Sequence, residues 1–213
     1  CIASDAKEAL PRPQLTSLDN AVQALKEAKR IVVVVGAGIS VSCGIPDFRS
    51  KDGIYAMVKD MALDSFTPSL THRFLRRLQD QHQLLRVYSQ NVDGLEAAAG
   101  VTNADLVLVM GTSLQVSPVA DIPVYLNAVP QILINMESVT PKGKLGFRGF
   151  DIECLGPCDV IVEYFMAALD GNTSVLSPPM HVHPPNRYCF DGCHLNDVAT
   201  EEGAPPSIDS FHW

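Results

Sequence analysis

The stretch that decides the fold is Ile31-Val32-Val33-Val34-Val35-Gly36-Ala37-Gly38, five β-branched residues that run directly into a glycine turn. A continuous apolar run of this kind predicts a strand that is buried on both faces, as in a parallel sheet. Three later runs have the same character and are each followed by polar or glycine-containing sequence, at residues 84–89, 105–110 and 131–136. Four such runs therefore predict a parallel β-sheet.

Helical spacing between and beyond these runs predicts helices at residues 18–29, 71–81 and 158–169, with a less regular helix around Pro123 at 119–128. Alternation of strands and helices is typical of a doubly wound α/β fold, which binds ligands at the carboxyl ends of its strands. Beyond Gly171 the proline-rich sequence has no period, and we expect loop or disorder there. We divide the chain into an N-terminal extension at 1–16, a folded domain at 17–170 and a tail at 171–213.

The composition excludes several function classes. The 213 residues carry a net charge of -8, which argues against direct nucleic-acid binding, because that needs clustered basic side chains. No apolar run approaches the roughly 20 residues of a membrane span, and no signal peptide is evident, so we expect an intracellular protein without membrane attachment. The first residue is Cys1 rather than Met, which suggests a fragment or a processed product.

The glycine turn after the first strand opens a longer motif, Gly36-Ala37-Gly38-Ile39-Ser40 followed by Gly44-Ile45-Pro46-Asp47-Phe48-Arg49-Ser50. The opening glycines would let a pyrophosphate approach the backbone N–H groups and the following helix. The fingerprint of ordinary dehydrogenases fits poorly, because Val41 stands where its third glycine or alanine is expected. The turn therefore predicts dinucleotide binding of a different type.

This motif resembles that of the sirtuin family, and three further segments extend the resemblance over most of residues 18–169. They are Gln90-Asn91-Val92-Asp93, then Gly111-Thr112-Ser113-Leu114-Gln115-Val116, and then Ile134-Asn135. Within this family, the sequence around 71–75 most resembles that of fungal histone-deacetylating sirtuins. The resemblance implies a Rossmann-like NAD-binding domain and an NAD-dependent lysine deacetylase, which transfers the acyl group to ADP-ribose and releases nicotinamide. Acetylated lysine of histones or other proteins would be the partner, with nuclear location and a role in chromatin silencing.

The resemblance also implies the site residues. The catalytic residues would be Asn91, Asp93, Asp47 and Arg49. The NAD-binding residues would be Gly36, Ala37, Gly38, Ser40, Asp47, Phe48, Arg49, Gln90, Asn91, Asp93, Gly111, Thr112, Ser113, Asn135 and Cys158. In that family Asp47, Phe48 and Arg49 belong to a mobile loop over nicotinamide, Asn135 contacts the adenosine ribose, and the backbone of Cys158 contacts adenine.

The sequence departs from the family pattern after Glu96. The family continues to a strand-end His-Gly and two cysteine pairs that bind zinc, whereas here 97–102 passes straight to Asn103. No histidine occurs between His82 and His181, so the general base has no residue at its position. We expect the small zinc-binding lobe to be absent or vestigial, with no metal site, and we interpret the difference as a gap in the gene model or transcript.

Two other features have plain interpretations. His72 lies on a predicted helix and is better explained by packing or solvent contact than as a substitute base. Cys154 with Cys158 and Cys189 with Cys193 share the C-x₃-C spacing of zinc ligands, but one pair belongs to the matched domain and the other to the tail. A competing functional hypothesis is a module without catalysis that binds NAD or ADP-ribose and acts through protein partners.

Overall fold

The structure, a computed structural model, describes residues 15–43, 67–89, 103–141, 146–172, 179–182 and 186–193. Helix α1, Leu18–Glu27, begins after Ser17, whose hydroxyl accepts a hydrogen bond from the N–H of Asn20. This is a helix N-cap, which satisfies one of the free donors of the first turn. The predicted helix at 18–29 is confirmed, and it ends two residues early.

The four predicted parallel strands are present as β1 (Ile31–Val35), β2 (Leu84–Ser89), β3 (Leu106–Met110) and β4 (Gln131–Asn135). Every residue of β1, β3 and β4 is buried, as continuous apolar runs predict. β2 is exposed along much of its length because it pairs with β1 and no other described strand. The prediction of a parallel sheet is confirmed.

The described strands form one seven-stranded sheet in the order β2-β1-β3-β4-β5-β7-β6, where β5 is Ile152–Leu155, β6 is Met180–Val182 and β7 is Arg187–Cys189. All neighbouring pairs are parallel except β6 with β7. The chain moves from β1 outward to β2 and then returns to the other side of β1 to form β3. The strand order therefore reverses between β1 and β3, where open α/β sheets bind ligands.

Helices and irregular segments cover both faces of the sheet. A 3₁₀ helix (Ala37–Cys43) follows β1, and α2 (Leu70–Asp80) precedes β2. A second 3₁₀ turn (Val119–Asp121) runs into the short helix α3 (Ile122–Tyr125), and α4 (Cys158–Leu169) has the bounds predicted from its spacing. The irregularity expected near Pro123 is confirmed. Among the described helices, none combines the length and apolar character that a membrane crossing requires.

The two faces of the sheet bury separate apolar clusters. On one face Val33 belongs to a cluster with Leu25 of α1, Phe74 of α2 and Phe165 of α4. On the other face Val32 and Val34 pack with residues of the 114–126 segment. Alternate residues of one strand thus enter two cores, which is the doubly wound arrangement.

The prediction of loop or disorder beyond Gly171 is wrong for Met180–Val182 and Arg187–Cys189, which add β6 and β7 to the sheet. Long-range contacts hold β7 in place. Arg187 Nε lies 2.8 Å from Glu153 Oε2 of β5, and the hydroxyl of Tyr188 accepts from the N–H of Leu18 over 3.1 Å. The ring of Phe190 meets Tyr164 edge to face, with 5.5 Å between centroids. These contacts join the C-terminal strands to both α1 and α4.

Candidate nucleotide site

The described site residues lie at one edge of the sheet. Gly36 follows β1, Gly111 follows β3, Asn135 ends β4 and Cys158 comes three residues after β5. Because these strands are neighbours and run parallel, their carboxyl ends meet at the same edge. The predicted site residues Gly36, Gly111, Asn135 and Cys158 are therefore brought to one edge, whereas the Gln90–Asp93 motif lies outside the described residues.

The turns after β1 and β3 are in direct backbone contact. The N–H of Gly38 donates to the carbonyl oxygen of Gly111 over 2.9 Å, and that of Gly36 donates to Met110 over 3.1 Å. A Cβ atom on Gly36 would lie 2.5 Å from the oxygen of Gly111, and one on Gly38 would lie 2.8 Å from it. Gly111 has a φ of 56°, the left-handed region that favours glycine.

These contacts give the glycines a packing role that the sequence analysis did not predict. We expected Gly36 and Gly38 to let a pyrophosphate approach, yet their N–H groups are already bonded within the protein and their missing side chains make room for the neighbouring turn. The glycines therefore allow the two turns to pack together at the point where the strand order reverses. Ala37, Ser40 and Ser113 are partly exposed around it.

The turn after β3 is shaped by Thr112, whose hydroxyl accepts from the N–H of Leu114 over 3.1 Å. Leu114 has a φ of 52° and a fully buried side chain. Packing of this side chain between the sheet and the 114–126 segment holds a backbone conformation that a leucine adopts at some cost. The turn is thereby fixed with Ser113 at its partly exposed position.

Asn135 and Cys158 form the far end of the site. The carboxamide of Asn135 donates to the carbonyl of Glu137 over 2.8 Å, and its backbone oxygen accepts from Gly156 over 2.9 Å. The thiol of Cys158 lies 3.5 Å from the carbonyl of Ile134. Burial, assisted by the nearby carboxylate of Asp159, raises the pKa of the Cys158 thiol to about 12. The side chain of Cys158 is therefore a neutral packing group.

Sequence reasoning missed Ser69, which supports the glycine turn from outside. Its hydroxyl lies 3.0 Å from the carbonyl of Ile39 and 2.7 Å from Nδ1 of His72, and it accepts from the N–H of His72 as the N-cap of α2. His72 is thus engaged in the cap of its own helix. The sequence contained a signal for this cap, because Ser69 stands two residues before the helix predicted at 71–81.

Asp159 was also missed. Its carboxylate accepts from the N–H groups of Leu70 and Thr71, at 3.3 and 2.9 Å, and from the hydroxyl of Thr71 at 2.6 Å. A residue of the first turn of α4 thereby satisfies the free donors at the start of α2. The side chain of Asp159 links the two helices that flank the site, and nothing in the local sequence signals so distant a partner.

Other predicted site residues lie outside the described part of the chain, and their roles remain predictions. They are Asp47, Phe48, Arg49, Gln90, Asn91 and Asp93.

The described residues offer no set of three or more His, Cys, Asp or Glu side chains that could hold a metal ion. Cys154 and Cys189 lie in the clusters on opposite faces of the sheet. The two C-x₃-C pairs therefore do not form one metal site within the described segments. The function proposed for this chain does not depend on zinc.

The donor set fits a dinucleotide. The described members of the predicted NAD set are glycines, an alanine, hydroxyl residues, an asparagine and a cysteine, and none carries a charge. Ribose and phosphate oxygens accept well from backbone N–H groups and neutral hydroxyls such as those of Ser40 and Ser113. The prediction that these residues hold NAD, with Asn135 and Cys158 toward its adenosine half, is compatible with their chemistry.

Comparison with known proteins points to the same family. A profile of the Sir2 family matches residues 36–66 and 55–104. NAD-dependent protein deacetylase sirtuin-1 of Mus musculus is 29% identical and aligns with 99% of this chain and 40% of its own length. The sir-2.1 deacetylase of Caenorhabditis elegans is 31% identical, over 82% of this chain and 45% of that protein. A fungal relative, the NAD-dependent protein deacetylase hst2-1 of Emericella nidulans, is 29% identical, over 68% of this chain and 67% of that protein.

A solved structure described under the mechanism and regulation of Sir2 enzymes shares the fold. The TM-score is 0.55 at 17% identity, over 74% of this chain and 98% of that one. The chain spans about half or less of the length of the first relatives. The alignment with the mouse protein runs over 316 residues, 103 more than this chain contains, so the relative has internal sequence that is lacking here. With its motifs at the carboxyl edge of this sheet, the chain is similar to members of the Sir2 family in sequence and in fold.

Proposed function

We propose that this chain binds NAD at the carboxyl edge of β1, β3, β4 and β5. The observation that carries the proposal is the contact between the Gly36–Gly38 and Gly111 turns at the point where the strand order reverses. Partly exposed hydroxyl residues surround this contact, and Asn135 and Cys158 continue the same edge across β4 and β5.

The reaction that we propose is NAD-dependent deacetylation of protein lysine, because the relatives aligned above are named NAD-dependent protein deacetylases. Bound NAD would supply the ADP-ribose that accepts the acyl group. In this proposal Asn91, Asp93, Asp47 and Arg49 line the nicotinamide end and orient the reacting groups. Holding two ligands in attack geometry is itself a large part of catalysis in such transfers.

We expect this chain to catalyse the proposed deacetylation slowly. General bases contribute typically about 10²–10⁴-fold in rate, and residues 83–180 contain no histidine to act as one. We therefore propose slow turnover, about 10²–10⁴-fold below that of a relative with the histidine in place.

Release of nicotinamide from NAD in the presence of an acetylated histone peptide tests the proposal. We expect slow, peptide-dependent release that Asn91→Ala abolishes and that Asn172→Ala, an exposed change after α4, leaves unchanged. ADP-ribose binding without any release would instead identify a module that binds the nucleotide and acts through partners. Absence of both would contradict the proposed function.

We propose acetyl-lysine of histones as the substrate class and the nucleus as the location. One relative, from Drosophila melanogaster, is named an NAD-dependent histone deacetylase and aligns with 93% of this chain at 25% identity. Imaging of the tagged chain, with histone acetylation measured in the same cells, tests this. A chain confined outside the nucleus would contradict it.

A further inference from the structure

Two cysteine thiols meet at the end of β7, and neither cysteine belongs to the predicted set of site residues. Sγ of Cys193 lies 3.1 Å from Sγ of Cys189, and no disulfide joins them. Cys189 is the last residue of β7, and the N–H of Cys193 donates to the carbonyl of Phe190 over 3.0 Å, which closes a turn between the two cysteines. The backbone itself therefore brings the two sulfur atoms together.

This turn is held firmly against the loop before α4. The N–H of Phe190 donates to the carbonyl of Leu155 over 2.9 Å. A Cβ atom on Gly156 would lie 3.3 Å from Cβ of Phe190, and one on Gly192 would lie 3.0 Å from Cγ of Pro157. Packing as close as this leaves the cysteine pair little freedom to separate.

The pair differs from Cys154 and Cys158 in access. Cys154 is fully buried, and the 8% exposed Cys158 directs its thiol to a backbone carbonyl. Cys189 is 4% exposed, whereas Cys193 is only partly buried. The thiol of Cys193 can thus react with a reagent from solvent, whereas the thiol of Cys189 lies beside it and is buried.

We propose that Cys189 and Cys193 are a redox modification site, a dithiol that closes to an intramolecular disulfide by exchange with a low-molecular-weight disulfide. Exchange proceeds when a thiolate attacks a disulfide sulfur and displaces the other half as a thiolate. The geometry supplies both an accessible attacking group and a resolving group at contact distance.

The order of steps follows from exposure. Cys193 loses its proton and attacks one sulfur of the small disulfide, which releases one small thiol and leaves a mixed disulfide on Cys193. Cys189 then gives up its proton and displaces the second small thiol, forming the Cys189–Cys193 bond. The two protein thiols are oxidised while the small disulfide is reduced to two thiols. Burial raises the pKa of Cys189 to about 12, which disfavours Cys189 as the first attacking thiol.

The test equilibrates the full chain with mixtures of reduced and oxidised glutathione, alkylates the remaining thiols and digests with trypsin. No lysine or arginine follows Arg187, so residues 188–213 form one peptide that contains Cys189 and Cys193 and no other cysteine. Cys154 and Cys158 fall together in the peptide 149–187, which is the internal control. We expect oxidising mixtures to convert peptide 188–213 to a form without alkylation and lighter by two hydrogens, while peptide 149–187 keeps both alkyl groups.

Two variants sharpen the result. Cys193→Ser should leave Cys189 free of glutathione, and Cys189→Ser should accumulate a glutathione adduct on Cys193 because the resolving thiol is gone. Full alkylation of wild-type peptide 188–213 in oxidising mixtures would overturn the proposal. A wild-type glutathione adduct as persistent as that of Cys189→Ser would overturn it too, because Cys189 would then not resolve it.

Discussion

The backbone N–H of Gly38 and the carbonyl oxygen of Gly111 form a 2.9 Å hydrogen bond between the turns after β1 and β3. These two turns are 73 residues apart in sequence but lie on neighbouring strands, on either side of the strand-order reversal. The carboxyl edge of the sheet is organised around this contact. It accounts for the need for glycine at three positions, because a side chain at any of them would strike the opposite turn.

Gly38→Ala should weaken ADP-ribose binding by about tenfold or more and lower the free energy of unfolding by about 1–3 kcal/mol, the usual cost of overpacking. Its Cβ would lie 2.8 Å from the oxygen of Gly111 and force the turns apart. Gly171→Ala is the matched control, since its Cβ meets open space and its φ of 71° costs about 1–2 kcal/mol without touching the site. Calorimetric titration and urea unfolding of both variants check this. Equal binding by the two would contradict it.

Asp159→Ala should lower the free energy of unfolding by about 1–3 kcal/mol, because the partly buried N–H groups of Leu70 and Thr71 lose their acceptor. Asp159→Asn keeps an acceptor oxygen and should cost less. Asp80→Ala removes a carboxylate from an exposed pair with Arg76 and should change stability by under about 0.5 kcal/mol. Urea unfolding curves measure all three, and an Asp159→Ala value as small as that of Asp80→Ala would refute this role.

Ser69→Ala should cost about 1–2 kcal/mol, because α2 loses its N-cap and the carbonyl of Ile39 loses a donor. Ser69→Thr keeps the hydroxyl and should restore much of the loss. Thermal unfolding of the two variants beside Thr16→Ala, which alters an exposed hydrogen bond to Asn20, provides the comparison. A Ser69→Ala protein as stable as the wild type would contradict the supporting role of the hydroxyl.

Stability should fall in alkaline solution in a way that depends on Cys158. Burial raises the pKa of this thiol from 9.0 in the unfolded chain to about 12, so the unfolded state loses its proton first as the pH rises. The contribution is fully present below pH 9 and should decline by about 1 kcal/mol by pH 10. Unfolding at pH 8 and pH 10 should show a smaller loss for Cys158→Ala than for the wild type. Identical losses would show that Cys158 titrates alike in both states.

Long apolar runs made the centre of the fold predictable. The strands β1, β3 and β4 are buried on both faces. A strand of this kind can be recognised from the sequence alone, because its residues form an apolar run. β5 was missed because it has four residues and includes Glu153, which is held there by its ion pair with Arg187. Helix α4 was predicted to the residue, since its apolar spacing continues from end to end.

The C-terminal strands could not be predicted from local pattern. β6 and β7 have three residues each and lie between proline-rich segments. They exist because β7 pairs with β5 and because Tyr188 reaches α1, contacts that depend on residues far away in sequence. Propensity is a weak guide where tertiary contacts decide the structure.

The candidate site was predictable in part. Motifs located the turns at Gly36 and Gly111, and the ligand contacts assigned to their glycines stay a prediction. The packing of the two turns against each other was not predicted. Ser69 and Asp159 support the site through contacts that span 30 and 88 residues, and no short motif encodes these.

Affinity of the purified, folded chain for ADP-ribose tests the central claim most directly. Isothermal titration should show saturable binding to one site per chain, strongly weakened in Gly38→Ala and retained in Gly171→Ala. A cooperatively folded chain that shows no heat of binding and no thermal stabilisation with ADP-ribose or NAD would contradict the account.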